Sequence, residues 1–472
     1  MALFCYTMLM HQITEQSFYK YVRCPSWLNH EMDGEGDLRD PLMIKLQDEG
    51  LLRERELDLL KDREVTEVKS DDMDEAAQET LEMMKRGIET IYKGVLIKGH
   101  WVGRPDILEK VEGDSGLGDY YYIACDIKRS RHLKDEYKFQ GSFYADILEK
   151  VQGMKPVQGY VLHANGRVSS YLLEAFETEY SLTLDGIEDI LDGKKKPHFL
   201  TSSCKQSPWF DACQSETLSC DSLSTINRIW RSEISSLIAG GITSVTELAN
   251  ATPDAIKQVS GVTSDRLYFL QQQANALIDN KVIRMGDVDL PEEDGIVLVI
   301  DIESDPLRDL DYLFGVLVVD GQKEEYHAFT AKKPEDEEKN WHKFTAFLEQ
   351  YSQANIYHYG WYEQEVFKKK VEMYGAPEAV KEQFEKRMVD VIVAMREKVI
   401  FPTPFYSLKD IAKHLGFKWR IADASGLDSV IWYQEWLAGD KSALKDIVEY
   451  NEDDVRATWL VRNWALETSE RL

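Results

Sequence analysis

The residues of this chain best suited to chemistry lie in two acidic stretches of its carboxy-terminal part. The first, GIVLVIDIES, is a continuous apolar run that closes on Asp301 and Glu303. Such a run is typical of a buried central strand, and residues two apart on a strand point to the same face. The second, YNEDDV, lies in a helical apolar pattern and places Tyr450 and Asp454 on one helix face. Carboxylates gathered in this way can hold two divalent cations for attack on a phosphodiester.

A second constellation lies in the amino-terminal half of the chain. Asp106 follows the residues G-R-P at the end of one predicted strand, and Asp126 and Lys128 end the next. Gln140 and Tyr144 lie one turn apart on the helix predicted to follow. Two carboxylates bind a hard cation, and a neighbouring lysine can orient or deprotonate the attacking water. The alternative interpretation is a surface hairpin with an ordinary ion pair.

The order of these motifs resembles that of the PD-(D/E)XK nucleases of the RecB family, over roughly residues 15–220. The resemblance implies metal binding by the two aspartates, catalysis by the lysine, and DNA contacts from Gln140 and Tyr144. The family also carries a metal-binding histidine in a G-x-x-H-E pattern of an upstream helix. Here GLLRE has Arg53 at that place, and arginine cannot ligate a metal. Either Glu54 substitutes for the histidine or the site is weakened.

The cysteines extend this resemblance. Similar nucleases hold a [4Fe-4S] cluster with one amino-terminal cysteine and a carboxy-terminal set of three, and four thiolates are the right ligands for it. The resemblance therefore implies cluster ligands at Cys24, Cys204, Cys213 and Cys220. Ser207, however, stands where the middle cysteine of the usual C-x-x-C is expected. A zinc ion and unliganded thiols are the alternatives.

The carboxy-terminal stretches resemble the DEDD exonucleases of the ribonuclease-H-like fold, tyrosine subtype, over roughly residues 295–465. The resemblance implies that Asp301, Glu303 and Asp454 bind Mg²⁺ or Mn²⁺, with two ions per centre, and that Tyr450 positions the attacking water. The structural alternative is a scaffold of this fold that has lost its activity.

Three further residues belong to this second resemblance. Glu363, in H-Y-G-W-Y-E, replaces the aspartate of the usual second motif, which keeps the charge and moves it one methylene outward. Asp390 is a candidate supporting carboxylate. We interpret His358, which follows a predicted strand, as a core histidine rather than a ligand.

Residues 221–286 are predicted to be entirely helical. Helix starts are indicated by Thr243 or Ser244 and, after Gly261, by Ser264 and Asp265. The V-S-G-V segment around Gly261 resembles a helix-hairpin-helix module, whose second helix meets a phosphate with its terminal amides. The usual second glycine of that hairpin is Thr263, so a purely structural spacer is the alternative.

The chain of 472 residues is predicted to be a multidomain α/β protein. Within it we expect a helical stretch at 45–92, hairpins at 95–128 and 157–173, and one continuous helix at 378–398. The predicted domains are a restriction-endonuclease-like domain at 1–220, the helix-hairpin-helix-like module at 221–286 and a ribonuclease-H-like domain at 287–472.

The composition restricts the partners. The formal net charge of -28 argues against long-range steering of nucleic acid, so loading by a partner such as a helicase is an expectation. No apolar stretch is long enough to span a bilayer and the first residues do not resemble a signal peptide, so we expect a cytoplasmic protein without a membrane partner.

The full set of motifs resembles RecB-like nucleases that carry a carboxy-terminal DEDD-type domain. It implies a metal-dependent nuclease, with DNA as the favoured substrate, in repair, recombination or defence. One alternative is a 3′–5′ exonuclease with a single live centre and an inactive RecB-like domain. The other is a non-catalytic nucleic-acid-binding scaffold for a helicase.

Overall fold

In the computed structural model the protein forms two compact units, one extending to Ser215 and one from Glu216. Arg53 and Glu54 lie outside the described residues. Among the described residues, no helix combines the length and apolarity needed to cross a membrane. The described residues are 12–32, 59–61, 63–128, 133–163, 166–194, 198–207, 209–291, 295–305, 308–422 and 424–467.

The first unit is built on a six-stranded mixed sheet in the order β2-β3-β6-β7-β8-β9, beside a small sheet in the order β1-β5-β4. The strands are β1 (Ile13–Thr14), β2 (Val65–Glu67), β3 (Thr90–Tyr92), β4 (Leu96–Lys98), β5 (Trp101–Gly103), β6 (Ile107–Ser115), β7 (Gly118–Lys128), β8 (Gln158–His163) and β9 (Val168–Leu172). The helices are α1 (Glu15–Arg23), α2 (Pro25–Met32), α3 (Met73–Lys85), α4 (Asp135–Gln152), α5 (Glu177–Leu191) and α6 (Phe210–Ser219), the last ending in the second unit.

Aromatic side chains fix α1 in this unit. The fully buried ring of Phe18 lies 5.2 Å from that of Phe143 in α4 and 5.4 Å from that of Tyr180 in α5. Aromatic pairs at such distances stabilise a core beyond the area they bury. These contacts fix the position of α1, whose first residue, Glu15, is buried.

The predicted hairpin at 95–128 is confirmed only in its second half, where β6 and β7 pair antiparallel. The first half is three strands instead of one. β4 and β5 form their own tight hairpin, and Pro105, which lacks an N–H group for a ladder, separates β5 from β6. Asp106 therefore precedes β6 and does not end a strand as predicted. The helical stretch predicted at 45–92 is also wrong in two places, since residues 65–67 form β2 and residues 90–92 form β3, which pairs with β2 and β6.

The second unit begins with the predicted helices, whose apolar faces make one core including Leu237, Leu248 and Leu270. The Ser244 hydroxyl accepts the amide of Glu247 at 3.1 Å, which confirms one predicted helix start. This part is not entirely helical, because β10 (Ile283–Arg284) pairs antiparallel with β16 (Val399–Ile400). The helices are α7 (Arg231–Ala239), α8 (Val245–Ala249), α9 (Pro253–Ile256) and α10 (Ser264–Asp279).

The rest of the second unit is a five-stranded sheet in the order β13-β12-β11-β14-β15, with three antiparallel strands followed by two parallel ones. Its strands are β11 (Val297–Asp305), β12 (Leu310–Asp320), β13 (Lys323–Thr330), β14 (Ile356–His358) and β15 (Met388–Asp390). Its helices are α11 (Glu337–Glu349), α12 (Tyr362–Tyr374), α13 (Glu378–Lys386), α14 (Val391–Met395), α15 (Leu408–His414), α16 (Gly426–Leu437) and α17 (Ala443–Glu467).

The continuous helix predicted at 378–398 is wrong. The segment breaks into α13, β15 and α14, because residues 388–390 pair with β14. The Asp390 carboxylate then caps α14 by accepting the amides of Ile392 and Val393 at 3.1 and 3.3 Å. An apolar run of this length fits a helix or a strand equally well, and pairing with β14 selects the strand.

The buried strand β11 divides its side chains between two cores. Val297 and Val299 pack in the core that contains Val455 and Val461 of α17, whereas Leu298 and Ile300 pack in the core that contains Phe344 of α11. By the period-2 rule, the odd-numbered side chains that follow Val299 continue on the α17 face. This alternation brings the acidic end of β11 to α17.

Candidate active sites

Three carboxylates meet where β11 passes α17. Oxygen atoms of Asp301, Glu303 and Asp454 all lie within 4.8 Å of one another. Asp301 and Glu303 extend from one face of the strand as predicted, and Asp454 comes from the helix that packs against that face. Such spacing between oxygen ligands suits hard divalent cations such as Mg²⁺, and the three residues could hold at least one.

Asn451 links the strand to the helix. Its Nδ2 donates to Asp301 Oδ2 at 2.7 Å and lies 3.3 Å from Glu303 Oε1, while its Oδ1 accepts from the Tyr326 hydroxyl at 2.8 Å. Gly315 of β12 pairs with Asp301, and a Cβ added there would lie 1.7 Å from Asn451 Oδ1. The helix can approach the sheet only because that position is a glycine.

The surroundings of the three carboxylates disfavour their ionised forms. Burial and the charge of Asp454 raise the pKa of Glu303 to about 8, and burial raises the pKa of Asp454 to about 6. The pKa of Asp301 is raised well above its usual range by burial and by the charges of Asp454, Glu303 and Glu363. Proteins place such groups together mostly at functional sites, and a cation is the natural way to neutralise them.

Tyr450 and Trp419 both contact the Asp454 carboxylate. Trp419 Nε1 donates to Asp454 Oδ1 at 2.6 Å, and the Tyr450 hydroxyl also donates to that carboxylate. Lys409 Nζ lies 4.6 Å from the centre of the Tyr450 ring. Trp419 and Lys409 were missed in the sequence, since neither belongs to an acidic motif.

A cleft of about 390 Å³ opens beside these residues. Its basic lining is unusual in so acidic a chain, and two aromatic rings, Phe417 and Trp419, pack edge to face within it at 4.7 Å. The lining residues are Lys409, Lys413, Gly416, Phe417, Lys418, Trp419, Ala422 and Ala424.

Glu363 lies outside the group of three carboxylates but near it, since its charge contributes to the raised pKa of Asp301. The carboxylate is buried, and its Oε2 lies 3.5 Å from His358 Nδ1. His358 is fully buried with Nδ1 2.8 Å from the Gly360 carbonyl oxygen, as expected of a core histidine. Asp390 acts as a helix cap and also accepts the Gly360 amide at 3.1 Å, so its role is to hold this loop.

A sequence model of the ribonuclease H superfamily matches residues 298–466, the segment that contains all of these groups. Those residues form a ribonuclease-H-like domain. The predicted fold of the carboxy-terminal part is thereby confirmed, while the tyrosine subtype stays a prediction. No curated protein matches the chain.

The first unit brings together the second predicted constellation. Lys128 Nζ lies 2.8 Å from Asp126 Oδ2, and Asp106 Oδ2 accepts the amide of Ile127 at 2.8 Å. Asp126 is buried, and burial together with the charge of Asp106 raises the pKa of its carboxyl group. Burial by itself would lower the pKa of the Lys128 ammonium. The charges of Asp126 and Asp106 have the larger effect and raise that pKa.

Two charged residues near this centre were missed in the sequence. Glu15, the first residue of α1, is buried. Burial is the main cause of the raised pKa of its carboxyl group, and the charge of Asp126 raises it further. Its Oε1 lies 3.6 Å from Arg104 Nη2, while its Oε2 has no hydrogen-bond partner. Lys93 Nζ lies 2.8 Å from Asp106 Oδ1. Glu15 thus brings a buried carboxylate from a helix close to Asp126.

Gln140 and Tyr144 lie on one face of α4 as predicted, but both side chains are buried. The Tyr144 hydroxyl donates to the Arg104 carbonyl oxygen at 3.4 Å, and Gln140 Oε1 has no hydrogen-bond partner. Their contact with DNA stays a prediction.

Three of the four predicted cluster cysteines lie together, because Cys24 packs in one small core with Cys213 and hydrogen-bonds Cys204. Cys24, Cys204 and Cys213 are buried in the first unit, whereas Cys220 is exposed and belongs to the second. A hydrogen bond from the Cys204 thiol lowers the pKa of Cys24. Cys213 Sγ instead lies 3.1 Å from His30 Nε2.

Gly261 lies in the loop between α9 and α10 with a φ of 82°, a left-handed conformation that glycine adopts readily. Thr263 then caps α10, its hydroxyl accepting the Arg266 amide at 3.3 Å. Phosphate binding at this helix start stays a prediction.

Proposed function

We propose that the protein is a metal-dependent nuclease whose ribonuclease-H-like domain removes nucleotides from 3′ ends. The observation that carries this proposal is the convergence of Asp301, Glu303 and Asp454, three buried carboxylates with raised pKa values, inside the matched domain. A scaffold without a cation would gain stability by replacing these groups with neutral ones, because buried uncompensated charge is costly.

Asp301, Glu303 and Asp454 would hold the cations, with Glu363 as a further ligand. Bound Mg²⁺ or Mn²⁺ would supply positive charge to the scissile phosphate and an acidified water. Tyr450 would orient that water, and the support is the hydrogen bond between its hydroxyl and the Asp454 carboxylate. Asn451 keeps Asp301 and Glu303 in position through its side-chain amide.

The cleft beside the carboxylates supports a nucleic-acid substrate. Lys409, Lys413 and Lys418 offer positive charge to a phosphate backbone, and Phe417 and Trp419 offer flat surfaces to bases. Basic grooves with aromatic side chains are the usual means of holding a single strand. We favour DNA because the first unit resembles RecB-like DNA nucleases.

A second nuclease centre in the first unit is the further part of this proposal. Asp106 and Asp126 would bind a cation there, Lys128 would act on the attacking water, and Glu15 would replace the missing histidine. The support is the contact of Lys128 with Asp126 and the unpartnered, buried Glu15 Oε2.

The proposal is tested by incubating the purified full chain with end-labelled single- and double-stranded DNA and RNA, in Mg²⁺, Mn²⁺ or EDTA. Wild type is compared with Asp301→Ala, with Asp126→Ala and with both together, and Asp320→Asn, an exposed carboxylate at the end of β12, is the control. We expect mononucleotides from the 3′ end, lost in Asp301→Ala and retained in the control.

The outcomes separate the alternatives. Activity that survives Asp126→Ala and disappears in Asp301→Ala indicates a single live centre. Binding without cleavage by the wild-type chain under every condition indicates a non-catalytic scaffold. Shortening from the 5′ end would contradict the proposed polarity.

A further inference from the structure

The cysteines in the described part of the first unit do not fit a four-iron cluster. Such a cluster takes four thiolates, and the described part of the first unit offers three suitable cysteines. Ser207 occupies the place of the fourth, and its hydroxyl is already used as an acceptor for the Trp209 amide at 3.1 Å. Cys24 and Cys204 contact each other through a hydrogen bond. Cys213 packs in the same small core as Cys24, but its sulfur contacts a histidine nitrogen.

A different set of ligand atoms converges nearby. One nitrogen of His30, one nitrogen of His198 and the sulfur of Cys213 all lie within 4.8 Å of one another. His30 Nε2 and Cys213 Sγ are 3.1 Å apart, and the two imidazole rings stack with centroids 5.2 Å apart. Ligand bonds of 2.0–2.1 Å to nitrogen and 2.3 Å to sulfur in a tetrahedron require about 3.5 Å between those atoms. A small separation of the side chains would admit an ion.

We propose that His30, His198 and Cys213 form a mononuclear zinc site. Imidazole and thiolate together suit zinc, whereas hard cations such as Mg²⁺ prefer carboxylates. Three protein ligands leave the fourth tetrahedral position for a water molecule. This site is separate from the carboxylate centres in its chemistry and does not depend on the proposed nuclease activity.

The surroundings of the three ligands suit a metal centre. The ring of Trp209 stacks on His30 at 6.1 Å, and Trp27 lies 6.3 Å from Trp209, so aromatic rings cover this group on one side. His30 and Cys213 are almost entirely buried, at 6% and 2% exposure. An apolar shell of this kind strengthens metal–ligand bonds and limits the access of solvent.

The three ligands come from distant parts of the sequence. His30 lies on α2, His198 follows α5, and Cys213 lies on α6. His30 and Cys213 are 183 residues apart. An ion at this place would tie the beginning of the first unit to its end, and because binding favours the folded chain it would add to the stability of the unit.

The test is elemental analysis of the full chain after exhaustive dialysis against a mild chelator, with circular dichroism as the check of folding. We expect about one zinc per chain in the wild type, as for any single mononuclear site, and none in His30→Gln, His198→Gln or Cys213→Ser. Cys24→Ser and Cys220→Ser are matched thiol controls and His342→Gln, an exposed histidine of α11, is the imidazole control. All three should keep the zinc.

Cobalt substitution of the wild-type chain gives a second readout that needs no variant. The visible spectrum should show a tetrahedral ion with a weak sulfur-to-cobalt band, as expected for one thiolate. Removing the ion should lower the melting temperature of the wild type. Four results would each overturn the inference. They are iron with inorganic sulfide, an absorption band for three thiolates, loss of metal in Cys24→Ser with retention in Cys213→Ser, and no bound metal after reconstitution.

Discussion

Replacing Glu303 by glutamine should stabilise the metal-free protein at alkaline pH while it removes most of the activity. Burial and the charge of Asp454 raise the pKa of this carboxyl group from 4.5 to about 8. One pKa unit corresponds to 1.36 kcal/mol, so ionising Glu303 costs the folded state roughly 5 kcal/mol as an upper value. Glutamine has nearly the same shape and carries no charge, so the variant avoids that cost.

The pH window follows from the direction of the shift. Because the pKa is higher in the folded chain than in the unfolded chain, the folded state keeps its proton longer as the pH rises. The stability contributed by the protonated group is complete below about pH 4.5 and is lost as the pH approaches 8. Wild type and Glu303→Gln should therefore have similar stability at pH 4.5 and differ most at pH 8.5.

Urea unfolding of both chains in EDTA at pH 4.5 and 8.5 measures this difference, and Asp320→Asn serves as the control. Adding Mg²⁺ at 100 times its dissociation constant should stabilise the wild type by about 2.7 kcal/mol, and Glu303→Gln by much less. Activity should fall on the order of 100-fold, the scale of losing one preorganised electrostatic contact. Equal stability of the two chains in EDTA at pH 8.5, or an equal gain with Mg²⁺, would refute this reasoning.

Three further predictions concern activity and packing. Asp454→Ala should lower the rate of 3′ trimming on the order of 100-fold, whereas Tyr450→Phe should lower it less because only a hydrogen bond to water is lost; equal effects in single-turnover kinetics would contradict this. Gly315→Ala places a methyl group against Asn451 and should destabilise the fold by about 1–3 kcal/mol in urea unfolding, whereas Gly295→Ala, with open space around it, should be neutral. Lys128→Ala should abolish any cleavage that remains after the carboxy-terminal centre is inactivated, without changing circular dichroism; persistent cleavage would make this lysine an ion-pair residue.

The carboxylate centre was largely predictable because its signals are local. The apolar run of β11 indicated a central strand, and its period placed Asp301 and Glu303 on one face. The four-residue spacing of Tyr450 and Asp454 indicated one face of a helix, and the two side chains do contact each other. No pattern of this kind reveals which residue bridges the elements, so the role of Asn451 required the structure.

The remaining features depend on contacts between distant segments. Glu15 was not singled out because α1 carries no acidic motif, and its proximity to Asp126 results from packing. The cysteine spacing indicated thiolate ligands only, so it gave no signal for His30 and His198 as ligands beside Cys213. The sequence at 388–390 fits a helix as well as a strand, because only pairing with β14 distinguishes the two.

The bridge made by Asn451 has a consequence for the synthesis of the chain. Asn451 follows Asp301 by 150 residues, and α17 supplies both this amide and the third carboxylate. While β11 is leaving the ribosome, it carries two carboxylates and nothing to complete a cation site. The centre can form only when α17 has been translated and has docked against the sheet. A chain interrupted before α17 therefore lacks the complete carboxylate centre of this domain.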